Sequence, residues 1–265
     1  MDSTLHNIME MDSVEFASST TCDSENIVKL FNVKKNDFTL ITQNIRSIYQ
    51  NFDDFMVSTS QLNIDPTVIV LTECWLRDYK PIPSIPNYNM FSSTKYKNKS
   101  DGVVVYVGVH VTANVREIFL LDASCLLLQI EEKTILAIYR SPSIADTSGF
   151  VNSLSNYLER FTTCSSIVVV GDININLIPR ENEQSSERRN RSNYLEMLAV
   201  QNIMPGHCLP TRESNSLDHI MIKIDKTKMS AQISVLNTSV TDHLILPQCV
   251  CLEAHLYSAC GHPNP

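Results

Sequence analysis

From Phe38 onward the chain sets short, densely apolar runs between polar breaks. FTLITQN, PTVIVLTE, GVVVYVGV, CLLLQI, TILAIYR, SIVVVGD and LDHIMIK are rich in Val, Ile and Leu and bounded by turn or polar residues. Such runs predict buried strands. Between some of them the apolar spacing lengthens. Ile48, Phe52, Phe55, Met56 and Leu62 recur near the helical period, as do Phe150, Leu154, Leu158 and Phe161, and again Tyr194, Leu195, Leu198 and Ile203. Three amphipathic helices are expected. Strands outnumber helices and do not alternate strictly with them. That mixture favours two sheets packed face to face with helices outside over one doubly wound parallel sheet, although periodicity alone leaves the choice open.

Several segments break the pattern. Residues 1–36 carry six acids against three Lys with little periodic hydrophobicity. They bury too little apolar surface to offset ordering entropy, so a disordered acidic leader is expected. PIPSIPNYN, with Pro81, Pro83 and Pro86, cannot pair as a central strand and reads as a surface loop. ENEQSSERRNRSN, residues 181–193, reads as a solvated loop leading into the third helix, and its Arg188, Arg189 and Arg191 form a candidate contact for a phosphate backbone. In the tail, Cys249, Cys251, His255, Cys260 and His262 lack the C-x₂-C spacing of a zinc finger. The expected organisation is a leader over 1–36, a folded domain over 37–247 and an irregular tail over 248–265.

Composition narrows the classes. At 265 residues the chain suits one large domain or two small ones, and a hydrophobic fraction of 43% with 6 Gly and 11 Pro excludes collagenous or low-complexity sequence. No apolar run approaches the roughly 20 residues that span a bilayer, and the polar start lacks the order of a signal peptide. A soluble intracellular protein with no membrane partner is expected. Its 8 Cys are scattered without a CxxC pair, which reads as reduced thiols. The net charge of -8 argues against a grip on nucleic acid by charge alone. It leaves open an enzyme whose clustered carboxylates hold a divalent cation against a phosphate.

Candidate chemistry sits where strands end on polar residues that packing does not require: Asn44, Glu73, Tyr139 with Arg140, and Asp172 with Asn174. Asp218-His219 and Asp242-His243 add two acid-imidazole pairs. Singly, each has an ordinary explanation as a helix cap, a turn former or a surface pair. Strands of one sheet bring their ends together, however, so the set can line a single cleft. Its oxygen donors suit a hard cation such as Mg²⁺. A carboxylate such as Asp172 can orient and deprotonate water, while Tyr139 and Asn174 donate to phosphate oxygens as charge develops. The chemistry so assembled is phosphodiester hydrolysis.

The ordered series QN at 43–44, LTE at 71–73, IYRSPS at 138–143, GDININ at 171–176, PTR at 210–212, SLDHI at 216–220 and TDH at 241–243 resembles the endonuclease/exonuclease/phosphatase superfamily. Within it, the chain resembles the apurinic-endonuclease-like domain of jockey-type non-LTR retrotransposons, over about residues 38–247. The resemblance implies a DNase I-like, four-layer α/β sandwich of two mixed β-sheets with outer helices. It implies that Asn44, Glu73 and Asp242 hold or flank the metal and that Asp172 activates water. Tyr139, Asn174 and Arg140 would contact the phosphate, and Asp218 would support His243. Arg46 stands where repair-type apurinic endonucleases carry an acid, which weakens any claim of abasic-site repair. His219 is taken as structural.

The activity so implied is Mg²⁺-dependent nicking of one strand of double-stranded DNA, with Mn²⁺ able to substitute, no small-molecule cofactor and a monomeric protein. The polymerase of such elements does not follow in this chain. A chromosomal substrate would require nuclear residence. Two alternatives stand beside it: a phosphatase of the same superfamily acting on small phosphate esters, and an inactive relic that at most binds DNA or a protein.

Overall fold

The computed structural model describes residues 17–22, 37–62, 64–94, 98–225, 229–236 and 248–254. Each densely apolar run forms a strand. In chain order the strands are β1 (Ala17–Cys22), β2 (Phe38–Asn44), β3 (Val68–Thr72), β4 (Tyr88–Ser92), β5 (Val103–Gly108), β6 (Ala113–Leu120), β7 (Ala123–Ile130), β8 (Lys133–Arg140), β9 (Ser166–Asp172), β10 (Met204–Pro205), β11 (Asp218–Lys223), β12 (Met229–Leu236) and β13 (Gln248–Ala254). They form a seven-stranded sheet in the order β1-β12-β13-β2-β3-β5-β4 and a six-stranded sheet in the order β10-β11-β9-β8-β7-β6. Both are mixed: β2 pairs parallel to β3 and β8 parallel to β9, among antiparallel neighbours.

Strand alternation explains the layering. Val68 and Val70, Val103, Val105 and Val107, Leu126 and Leu128, Val168 and Val170, and Ile220 and Ile222 share one core between the sheets. The intervening residues face outward. On the first sheet Ile69, Leu71, Val104 and Tyr106 meet Ile48, Phe52 and Phe55 of helix α1 (Ile48–Ser60). On the second, Leu136, Ile138, Ile167 and Val169 meet helices α2 (Ser148–Leu158) and α3 (Ser185–Val200). The result is four layers, helix-sheet-sheet-helix, as the resemblance implied. Runs such as VVVYV are apolar throughout because both faces of their strands are covered.

Some segments differ from expectation. Within the acidic leader, Ala17–Cys22 forms a strand paired parallel to β12. This stretch carries no charge, and an edge strand joins through its backbone without needing apolar periodicity. In the tail, Gln248–Ala254 lies between β12 and β2 and pairs antiparallel with both. The remainder of both segments lies outside the described residues.

The polar stretch 181–193 is mostly helical, since α3 begins at Ser185. Its start is fixed by Glu187, whose carboxylate accepts from the Gln184 N–H at 3.3 Å. Arg191 is buried rather than solvated and bonds Glu183 at 2.6 and 2.7 Å, and Arg188 bonds the same carboxylate at 3.1 Å. Of the expected arginine cluster, two members are therefore occupied internally. β6 escapes the apolar-run criterion because its exposed positions include the polar residues Asn114 and Arg116. Among the described residues no helix is long and apolar enough to cross a membrane, and Cys74, Cys125, Cys164 and Cys208 are free thiols.

Candidate active site

Register brings the polar strand ends to one place. In the second sheet Asp172 lies opposite Asp218 on β11 and beside Tyr139 on β8. In the first, Asn44 lies beside Thr72, directly before Glu73. Parity then aims them. Asn44 shares the face of Leu40, Asp172 that of Val168 and Val170, Tyr139 that of Ile135 and Ala137, and Asp218 that of Ile220 and Ile222. All of these faces look into the seam between the sheets. At its end they line a cleft of about 470 Å³ together with Glu73 and Asn174.

Direct bonds span the seam. The Asn44 side-chain Nδ2 donates to Glu73 Oε2 and to Asp172 Oδ2, both at 2.7 Å. The Asn174 N–H donates to Asp172 Oδ1 at 3.2 Å, and Trp75 Nε1 donates to Glu73 Oε1 at 3.3 Å. Glu73 and Asn174 both adopt left-handed backbone, at φ 53°. Side chains other than glycine take that region at a cost, which marks positions held by their surroundings. Asn174 is held by its own Nδ2, which donates to the Arg140 carbonyl at 2.9 Å.

Crowding of like charges sets the electrostatics. Burial raises the Asp172 carboxyl well above the usual range, and the Asp218 and Glu73 charges raise it further, against the Asn44 and Asn174 hydrogen bonds. Asp218 is pushed up to about 6, mainly by burial and in part by Glu73, while the Thr211 hydroxyl and Arg212 oppose the shift. The Tyr139 phenol is raised by burial and by the Glu73 and Asp172 charges, so it remains a hydrogen-bond donor. A cation in the cleft would relieve all three.

Among the described residues no three His, Cys, Asp or Glu side chains gather closely enough to ligate an ion unaided. Oxygen atoms of Glu73 and Asn44 nonetheless suit a hard ion that keeps several waters and uses one or two carboxylates. The clustered carboxylates of Glu73, Asp172 and Asp218 fit such an ion.

Arg140 is placed differently from its expected role on the phosphate. It follows Tyr139 on the same strand, so alternation turns it to the opposite face, over the Phe150 ring at 5.9 Å. Its guanidinium is buried and donates to the carbonyls of Ile173 and Asn174, each at 3.5 Å, and to that of Ile144. Arg140 therefore braces the turn that carries Asn174 from beneath. His219 faces the same helical layer, bonding the Ile175 carbonyl at 2.9 Å and the Tyr194 hydroxyl at 3.3 Å. Asp242 and His243 lie outside the described residues.

Sequence reasoning missed part of the wall. Asn98, Ser100, Ser141, Ser143, Thr211 and Arg212 line the cleft, as does Arg46. The Thr211 hydroxyl accepts from the Leu217 and Asp218 N–H groups at 2.9 and 3.0 Å. The PTR and IYRSPS motifs contained several of these positions, but Ser and Thr are too common in a sequence to single out.

No protein-family model matches the chain, and no curated protein matches it by sequence. Solved structures do. The 3′-5′ exonuclease NExo from Neisseria meningitidis superposes with a TM-score of 0.60 at 14% identity, over 82% of this chain and 99% of that one. The endonuclease domain of TRAS1, a telomere-specific non-LTR retrotransposon, gives 0.58 at 8% identity over 82% and 99%. An endonuclease/exonuclease/phosphatase family protein from Leptotrichia buccalis C-1013-b gives 0.55 at 12% identity over 82% and 99%. Shared across identities this low is the architecture itself: the chain has the endonuclease/exonuclease/phosphatase fold.

Proposed function

We propose that this chain is a divalent-cation-dependent phosphodiester hydrolase that nicks double-stranded DNA as an endonuclease. The observation that carries the reading is the Asp172 carboxylate, 4% exposed and held by Asn44 and Asn174 in one cleft with Glu73, Tyr139 and Asp218. Burial and the neighbouring Asp218 and Glu73 charges make it a stronger base than an exposed carboxylate. Asp172 orients a water and accepts its proton as the water oxygen bonds phosphorus. The bond from phosphorus to the leaving O3′ breaks, and that oxygen takes up a proton from solvent water and is released as a hydroxyl. The Tyr139 phenol donates to a phosphate oxygen as negative charge grows there. Asn174, held by Arg140, sits beside the same oxygens. A Mg²⁺ or Mn²⁺ ion bound by Glu73 and Asn44 would supply Lewis-acid polarisation of the phosphate.

Support for DNA as the substrate comes from the fold shared with the TRAS1 endonuclease domain and NExo, and from the IYRSPS and PTR segments that border the cleft. Nicking as the first step of target-primed insertion is the finer reading. The test is conversion of supercoiled plasmid to nicked circles in Mg²⁺, with Asp172→Ala as control. Nicking by wild type that the variant lacks supports the proposal. Release of inorganic phosphate from small esters without nicking would transfer the site to phosphatase chemistry, and failure of both would leave an inactive fold.

A further inference from the structure

The cleft is lined by three carboxylates, Glu73, Asp172 and Asp218, and by two guanidiniums, Arg46 and Arg212. The arginines arrive from different sheets. Arg46 follows β2 of the first sheet, next to Asn44, and Arg212 precedes β11 of the second, next to the Thr211 that bonds Asp218. They therefore stand at the two ends of the row Asn44, Asp172, Asp218.

Each arginine is built into a constrained backbone. Arg46 and Ser47 are consecutive left-handed residues, at φ 42° and 88°. Asn44 Oδ1 accepts the Arg46 N–H at 3.2 Å, Asn51 Nδ2 donates to the Ile45 and Arg46 carbonyls at 2.8 and 3.0 Å, and the Ser47 N–H donates to the Glu73 carbonyl at 2.9 Å. Arg212 sits in a tight turn closed by reciprocal backbone bonds with Asn215 at 2.9 and 2.8 Å. Strain persists only where the surroundings over-determine it, as at Arg46, while the turn bonds fix the backbone of Arg212, and both residues line the cleft.

We propose that Arg46 and Arg212 form a two-point phosphate clamp, which fits this cleft to a polyphosphodiester strand rather than to an isolated phosphate ester. The inference rests on the phosphodiesterase reading of the same site. A guanidinium matches a phosphate by paired N–H donors. One clamp point holds the phosphate under attack and the other a neighbour along the strand. Two cations at the ends of the row also offset the repulsion that the carboxylates exert on an incoming strand.

The test is binding of a fluorescent DNA duplex followed by anisotropy at 50 to 200 mM salt in EDTA, where no divalent ion competes and no cleavage occurs. Each neutralised phosphate contact contributes roughly 0.9 to the slope of log affinity against log salt. Arg46→Gln and Arg212→Gln should each flatten the slope by about 0.9, so that their deficit against wild type shrinks about threefold across that range. The double variant should lose about twice as much slope, and Arg46→Lys should retain it. Slopes equal to wild type in both single variants would overturn the clamp while leaving the hydrolase reading intact, since phosphates would then be held elsewhere. Absence of duplex binding together with absence of plasmid nicking by wild type would overturn both. Thermal unfolding of each variant confirms that a lost slope is not a lost fold.

Discussion

The glycine preceding the proposed base offers a sharp test of how the site is built. Gly171 pairs with Ile138 across the parallel β8-β9 ladder and has φ +128°. A Cβ there would lie 2.1 Å from the Ile138 carbonyl oxygen and 3.1 Å from Thr72 Cγ2. The carbonyl belongs to the backbone of a buried central strand and cannot swing aside. A backbone region essentially reserved for glycine costs an L-residue about 1–3 kcal/mol, and overpacking of a close-packed interior adds about 1–3 kcal/mol. Gly171→Ala is therefore expected to cost about 4 kcal/mol, a large share of the ~5–15 kcal/mol typical of a domain. Melting should fall by about 8–16 °C for a chain of this size.

Circular dichroism on heating reads the loss, with Gly149→Ala as control. At that position the new Cβ meets only the tip of Leu121, at 2.4 Å, and the residue is helical. A half-exposed side chain can move and alanine favours helix, so the control should change stability by less than about 1 kcal/mol. The alanine at 171 should also slow nicking at temperatures where the variant stays folded, because Asp172 is the next residue. A melting point for Gly171→Ala within a degree or two of the control would refute the argument that backbone contact, rather than chance, puts glycine before this carboxylate.

Arg191→Met should cost about 2–3 kcal/mol in urea unfolding, because it removes the buried partner of the Glu183 carboxylate, only 3% exposed, and leaves it the exposed Arg188 alone. Pairing it with Glu183→Leu should restore much of the loss. His219 is held neutral, at about 3, chiefly by burial and also by the nearby His207 charge. The unfolded chain therefore binds a proton below about pH 6.5 that the folded chain refuses, and stability falls with pH by about 1.4 kcal/mol per unit. Between pH 7.5 and 5 the advantage of wild type over His219→Gln should accordingly shrink by about 2 kcal/mol, measured as the difference between two denaturation curves. Arg140→Met leaves the Ile144 and Asn174 carbonyls without their buried donor. Plasmid nicking should show kcat falling at least about tenfold with KM little changed, and Arg140→Lys should recover part of it.

Much of this was legible in the chain. Densely apolar runs located the buried strands, because a strand covered on both faces has no polar side to show. Helical spacing located α1, α2 and α3 through residues such as Phe52, Leu154 and Tyr194, which each helix turns inward. The same period of two, applied to Tyr139 and Arg140, already implies opposite faces, so the burial of Arg140 among helix residues was available from alternation alone. Other features were not. β1 and β13 pair through backbone bonds that leave little trace in side-chain pattern, and the buried Arg191-Glu183 pair looks in sequence like any charged loop.

Sequence by itself determined which side chains carry reactive groups, where strands end, and through side-chain parity which face each residue occupies. Tertiary structure decided that Asn44 of one sheet reaches Asp172 of the other at 2.7 Å, that three carboxylates share one cleft, and that Arg46 and Arg212 bracket them. The physical reason is that parity and propensity are local, fixed by the geometry of one strand. Strand order, register and the packing of two sheets depend on pairings between residues from tens to some two hundred positions apart, and those are settled only when the core closes.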